Sequence, residues 1–263
     1  MENTETNPYQ APESDLETGT PEQNLQFGEP QKKPTGHGWQ WIKSGFDLFK
    51  RSPGGWILTM VVGFLIMLAI NIIPIVGNII IMLTTYVWTA GIMYGCSQLE
   101  QGSKFKLSYL FAGFKLAPGK LIALSVVLGL FGFVIALACL GTVYIDMLSG
   151  NAEQPFAGQN ATSILISILI MVALYVPLMM AAWFAPLLVI FHNYSVFSAL
   201  KSSFFACLKN LMPFLVYGLI GFLLLFVAAL PVGLGLLIMF PVLYASMYTA
   251  YKDIYLQADT MHL

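Results

Sequence analysis

Six apolar stretches, 55–73, 79–96, 121–145, 164–191, 211–230 and 232–251, hold no Asp, Glu, Lys, Arg or His in their central parts. A helix needs about 20 apolar residues to cross a roughly 30 Å hydrocarbon layer, and each stretch is near or above that length. Helices buried in a water-soluble bundle keep a polar face, and these have none. Across the 263-residue chain, 57% of residues are hydrophobic and 10% charged, too few charges to coat a globule of this size in water. The joints at 74–77 and 231–233 are very short, so the first and last pairs of stretches read as tight antiparallel hairpins. The expected fold is all-α: a polytopic membrane protein with six transmembrane helices in three hairpins.

Residues 1–36 hold Glu2, Glu5, Glu13, Asp15, Glu17, Glu22 and Glu29 against Lys32 and Lys33, with few large apolar groups. Such a segment buries too little to offset its ordering entropy, so it reads as a disordered acidic cytoplasmic tail. With no apolar run before Gly55, it is not a signal peptide. Residues 37–256 form the six-span domain and 257–263 a short cytoplasmic C-terminal tail. With six spans, all twelve Lys and Arg residues fall on the side of the N-terminus, and the longest opposite loop, 146–162, offers Asp146 and Glu153. The positive-inside bias then puts both termini in the cytoplasm. Adding or dropping a span would scatter the lysines over both faces.

Before each hairpin lies a segment of about fifteen residues with amphipathic helical spacing, the signature of a helix lying in the interface plane. In the first, Trp39, Ile42, Phe46 and Phe49 form one stripe and Gln40, Lys43, Asp47 and Lys50 the other. The second runs from Ser108 through Leu110, Phe111, Phe114 and Lys115. The third follows Ser195 as N-cap, with Val196, Leu200, Phe204 and Cys207 opposite Lys201 and Ser202. Pro53, Pro118 and Pro213 turn each into the bilayer. The first and third units overlay at an offset of 157 or 158: Phe46 on Phe204, Arg51 on Lys209, Gly63 on Gly221, Pro74 on Pro231, Tyr94 on Tyr251. An even number of spans separates them, so such repeats share one orientation about an axis along the membrane normal.

The run Gly38-Trp39-Gln40-Trp41-Ile42-Lys43-Ser44-Gly45-Phe46-Asp47-Leu48-Phe49, with Ala182-Trp183-Phe184-Ala185-Pro186 and Tyr248-Thr249-Ala250-Tyr251-Lys252-Asp253-Ile254, resembles an uncharacterised six-span inner-membrane family of proteobacteria. That type is itself similar to the membrane domain fused to some glycerophosphodiester phosphodiesterases. The resemblance spans about residues 37–256 and implies a multi-pass protein of the bacterial inner membrane. It transfers no catalytic residue, because no phosphodiesterase domain is attached. Asn7-Pro8-Tyr9-Gln10-Ala11-Pro12 with Asp15-Leu16 is similar to a short N-terminal motif of assorted bacterial membrane proteins. Asn7, Pro8, Tyr9, Ala11 and Pro12 are therefore the candidate contacts for a cytoplasmic protein partner.

No catalytic, cofactor-binding or metal-binding residue is expected. Walker, HExxH, GxSxG and dinucleotide patterns are missing from the sequence, and Cys96, Cys139 and Cys207 have no CxxC spacing. Ion-coupled transporters place charge within spans, which these stretches do not. Thirteen scattered methionines read as apolar filler rather than a copper site. His192 reads as an interfacial residue at a span end, and six spans put Asp146 on the opposite face. Membrane lipids are the expected partners and nucleic acid is not. A juxtamembrane lysine gains about 1 kcal/mol from an anionic leaflet, which makes Lys43, Lys50, Arg51, Lys115, Lys201 and Lys209 the candidate headgroup contacts. Gly91 with Gly95 and Ala181 with Ala185 are small-xxx-small pairs for close helix packing. The leading functional reading is a non-enzymatic membrane organising or partner-binding protein. The alternative is a passive or lipid-handling transporter with a cavity between the repeats.

Overall fold

A computed structural model of the chain describes residues 25–149 and 161–258. Apart from one two-stranded ribbon it is helical: β1 (Leu25–Phe27), α1 (His37–Lys50), α2 (Pro53–Asn71), α3 (Val76–Glu100), a 3₁₀ turn (Leu107–Phe111), α4 (Gly113–Leu116), α5 (Pro118–Ser149), α6 (Ala161–Trp183), α7 (Ala185–His192), α8 (Val196–Lys209), α9 (Leu211–Ala229), α10 (Leu236–Tyr255) and β2 (Leu256–Ala258). Among the described residues, five helical segments are long and apolar enough to cross a membrane: Pro53–Asn71, Val76–Glu100, Pro118–Gly141, Thr162–His192 and Leu211–Ala229. The sixth expected span corresponds to α10, which falls outside this set. Its second half carries Ser246, Tyr248, Thr249, Tyr251, Lys252 and Asp253, which dilute the apolar run.

The helices pack in a ring of three groups: α1–α3, the 3₁₀ turn with α4–α7, and α8–α10. Each lead-in segment lies against the last membrane helix of another group, and a small residue sits at each closest approach. In α1 a Cβ on Gly45 would lie 2.8 Å from the Val242 carbonyl of α10. In α4 a Cβ on Gly113 would lie 2.9 Å from the carbonyl carbon of Val87 in α3. In α8 the fully buried Ser203 donates its hydroxyl to the Met180 carbonyl of α6 at 2.7 Å. Gly45 and Ser203 are 158 positions apart, the offset at which the first and third units overlay.

The joints repeat as well. Ile75 before α3 has φ 63° and Val232 before α10 has φ 54°, a region L-residues other than Asn and Asp rarely enter. Two residues later Gly77 presses on the Ile70 carbonyl, and three residues after Val232 Gly235 presses on the Ala228 carbonyl. A side chain at either place would collide with the preceding helix, so glycine is required.

Three expectations differ from the structure. The second amphipathic segment is not one helix of about fifteen residues but a 3₁₀ turn and a four-residue helix. Gly113, seated against Val87, and Pro118 leave no room for a longer one. In α1 the buried side is Trp41, Ile42, Gly45, Leu48 and Phe49, while Trp39 and Phe46 remain exposed, so that helix has two apolar faces rather than one stripe. Finally, residues 25–36, read as part of a disordered tail, are folded onto the end of α10. β1 pairs antiparallel with β2, and Phe27 stacks on His192 at 3.5 Å and on Tyr255 at 5.6 Å. One aromatic anchor and a backbone ladder order a segment whose composition alone would leave it free.

Candidate lipid-binding cavity and polar end

Cavities follow the seams between the three helix groups. One of about 530 Å³ lies between α6 and the α8–α9 turn, lined by Met171, Tyr175, Met180, Trp183, Leu211 and Phe214. A second, about 410 Å³, lies between α3, α5 and α6 around Met82, Gly129, Gly132 and Tyr175. A third, about 370 Å³, lies between α2, α3 and α10 around Met60, Met67, Trp88 and Leu237. Where the groups meet, a cavity of about 520 Å³ takes walls from α3, α6, α9 and α10, among them Tyr86, Met179, Trp183, Gly218, Tyr244 and Met247. Tyr86 also borders the second cavity, Trp183 the first and Tyr244 the third, so these three side chains stand between the middle and the seams. The walls are aliphatic, aromatic and thioether groups, suited to hydrocarbon chains.

Trp183 sits beside a built-in break. Ser203 of α8 donates to the Met180 carbonyl and accepts the Phe184 N–H at 2.9 Å, so its hydroxyl is inserted in the helical ladder where Phe184 would have bonded Met180. Pro186, which has no N–H for the Ala182 carbonyl, completes the interruption, and α7 restarts at Ala185. Trp183 is thereby held edge-on to Phe214 and Tyr217, each at 5.9 Å. Its indole Nε1 is buried without a hydrogen-bond partner among the described residues, as is that of Trp56.

The opposite character appears at the end where the strands lie. Asp253 of α10 accepts His37 Nδ1 at 2.7 Å and Trp41 Nε1 at 2.8 Å, and its other oxygen lies 3.2 Å from the Lys33 ammonium. Burial would raise this carboxyl, yet the Trp41 and His37 hydrogen bonds and the Lys33 charge hold it below the usual carboxylate value. Glu100, ending α3, accepts Lys252 at 2.8 Å and the Tyr248 hydroxyl at 3.0 Å. The fully buried Asn210 donates to the Gln31 and Ala206 carbonyls at 2.8 and 2.9 Å and accepts the Lys33 N–H at 2.7 Å. His192 hydrogen-bonds the Tyr251 hydroxyl beneath Phe27, the packed arrangement of an interfacial histidine.

The residues singled out in the sequence are distributed as follows. Lys43, Lys50, Arg51, Lys115, Lys201 and Lys209 are all exposed. Lys50 pairs with Asp47 at 2.8 Å and lies over the Phe46 ring, and this hydrogen bond lowers the Asp47 carboxyl. Lys209 donates to the Pro30 carbonyl at 3.3 Å, and with Lys201 it borders a hollow of about 610 Å³ under residues 27–30. Gly91 presses on the carbonyls of Tyr109 and Leu110, and Gly95 on the Phe105 ring, so both serve packing inside the chain. Ala181 and Ala185 fall on either side of the Phe184 break, with Ala185 fully buried. Asn7, Pro8, Tyr9, Ala11 and Pro12 lie outside the described residues, as does the side chain of Asp146. Sequence reasoning missed Trp41, Ser203, Asn210, Glu100 and Asp253. Their signal was thin: polar or indole groups whose partners lie as far away in sequence as Lys33 from Asp253.

The chain is 29% identical over 227 residues to a protein of Burkholderia thailandensis named a probable inner membrane protein, an alignment covering 80% of each chain. No protein-family model and no solved structure matches it. That likeness and the long apolar helices support a multi-pass inner-membrane location for the chain.

Proposed function

We propose that this is a non-enzymatic, lipid-handling protein of the inner membrane, with six spans in three hairpins, both termini in the cytoplasm, and lipid chains held in the seams between its helix groups. Residues 232–251, which run into α10, are the sixth span, and the hairpin joints are the turns at Ile75 and Val232. The observation that carries the reading is the set of apolar cavities at the meeting lines of the three groups, each large enough for part of an acyl chain. It favours the lipid-handling alternative over a purely organising role. The likeness to the membrane domain of some glycerophosphodiester phosphodiesterases belongs to the same proposal, resting on residues 38–49, 182–186 and 248–254. Lys43, Lys50, Arg51, Lys115, Lys201 and Lys209 would face the headgroups of the inner leaflet.

The test fills the central cavity. A Cβ on Gly218 would meet no atom within 4 Å, so Gly218→Phe places a ring in the cavity without displacing backbone. Lipid extracted from the purified variant is expected to fall well below that from the unaltered protein at equal helicity. Unchanged lipid content would sink the proposal.

A cytoplasmic partner for residues 1–24 is a second reading, favoured by β1, which pins the start of the described chain to the end of α10. Removing 1–24 leaves residues 25–36 to fold, and partners cross-linked in intact cells should be lost with it. An unchanged cross-linking pattern would remove the tail from consideration.

A further inference from the structure

The central cavity holds more than apolar surface. Of its polar wall groups, Thr89 already donates to the Thr85 carbonyl at 3.0 Å, and the Tyr217 hydroxyl is paired with Ser246 at 3.0 Å. Two donors remain, the Tyr86 and Tyr244 hydroxyls, which make no hydrogen bond among the described residues; the Trp183 indole N–H, also unpaired among them, is buried out of reach of the cavity. The two hydroxyls come from α3 and α10, in two different groups of the ring. In hydrocarbon no water is at hand to satisfy such groups. No Lys or Arg lines the cavity, so a phosphate there would be an uncompensated buried charge. Neutral donors in an apolar wall suit a neutral acceptor.

We infer that the cavity between α3, α6, α9 and α10 binds a long-chain molecule through a carbonyl oxygen, with the Tyr86 and Tyr244 hydroxyls as its donors. The inference rests on the lipid-handling reading and deepens it by naming the group recognised. Two sources carry that chemistry in a bacterial membrane, the ester of a diacyl glycerolipid and the ring carbonyl of an isoprenoid quinone.

The experiment uses full-length protein in nanodiscs and native mass spectrometry to count retained molecules. The probes are a diester phosphatidylethanolamine, its diether analogue with the same chains and headgroup, and a long-tailed benzoquinone. The variants are Tyr86→Phe, Tyr244→Phe and the two together, with helicity and thermal melting confirming the fold. Removing a donor to a buried acceptor should weaken retention by roughly 5- to 10-fold. Preference for diester over diether lipid, abolished in the variants, supports the inference with a glycerolipid as ligand. Displacement of the diester lipid by the quinone, again lost in the variants, supports it with a quinone as ligand. Equal retention of diester and diether lipids, unaffected by the variants and with no quinone binding, overturns the carbonyl assignment and leaves chain binding standing. Retention of none of the three probes by the unaltered protein overturns both.

Discussion

Asp253 joins three parts of the chain that lie far apart in sequence: Lys33 before α1, His37 and Trp41 within it, and the end of α10. Asp253→Asn keeps the shape but removes the charge, and should cost about 1.5–3 kcal/mol, the range for hydrogen bonds to charged groups. Because the folded carboxyl titrates below its unfolded value, its contribution is present above the ordinary carboxylate pKa of about 4 and is lost as pH falls through the lowered one. The stability difference between unaltered protein and Asp253→Asn, measured by thermal melting in detergent, should therefore be full at neutral pH and shrink in acid below pH about 4. A difference that persists in acid would mean that the side chain acts by packing and not by charge. Nothing local in Tyr251-Lys252-Asp253-Ile254 announces this role. An acid at the end of an apolar helix reads as solvated until its partners are brought to it.

Among the elements, α6 and α8 show how far patterning reaches. The apolar run 164–191 and the prolines Pro177 and Pro186 foretell a long, interrupted helix, and Ser195 caps α8 as expected, accepting the Ser198 N–H at 3.3 Å. The break itself lies at Phe184 because Ser203, from another element, occupies the ladder there. Ser203→Ala would leave the Met180 carbonyl and the Phe184 N–H unpaired and should destabilise the protein by about 1–3 kcal/mol. Ser203→Cys, which retains a weak donor and acceptor, should lose less. Melting temperatures of the two variants check the order, and a Ser203→Ala protein as stable as the parent would show that the inserted hydroxyl is incidental. In the second group, by contrast, spacing predicted a helix where a 3₁₀ turn forms. Fifteen residues of amphipathic period carry no information about how close a neighbouring backbone will come.

For the whole molecule, the test is of sidedness. Cysteines introduced at Lys115 and Lys201, in a background lacking Cys96, Cys139 and Cys207, should react with an impermeant maleimide only after the cytoplasmic side is opened. Labelling of either from the outside of intact cells would overturn the six-span layout. Membrane residence, a helical fold and the grouping of cationic side chains near helix ends were legible from one chain, since each depends on run length, composition and local period. Those quantities are set by the thickness and dielectric of the bilayer. The closing of three groups into a ring, the cavities along their seams and the unpaired donors of Tyr86 and Tyr244 were not legible. They arise from where Gly45, Gly113 and Ser203 let one backbone approach another. Such contacts join residues as far apart as Gly45 and Ser246, and no window of sequence contains both sides of them.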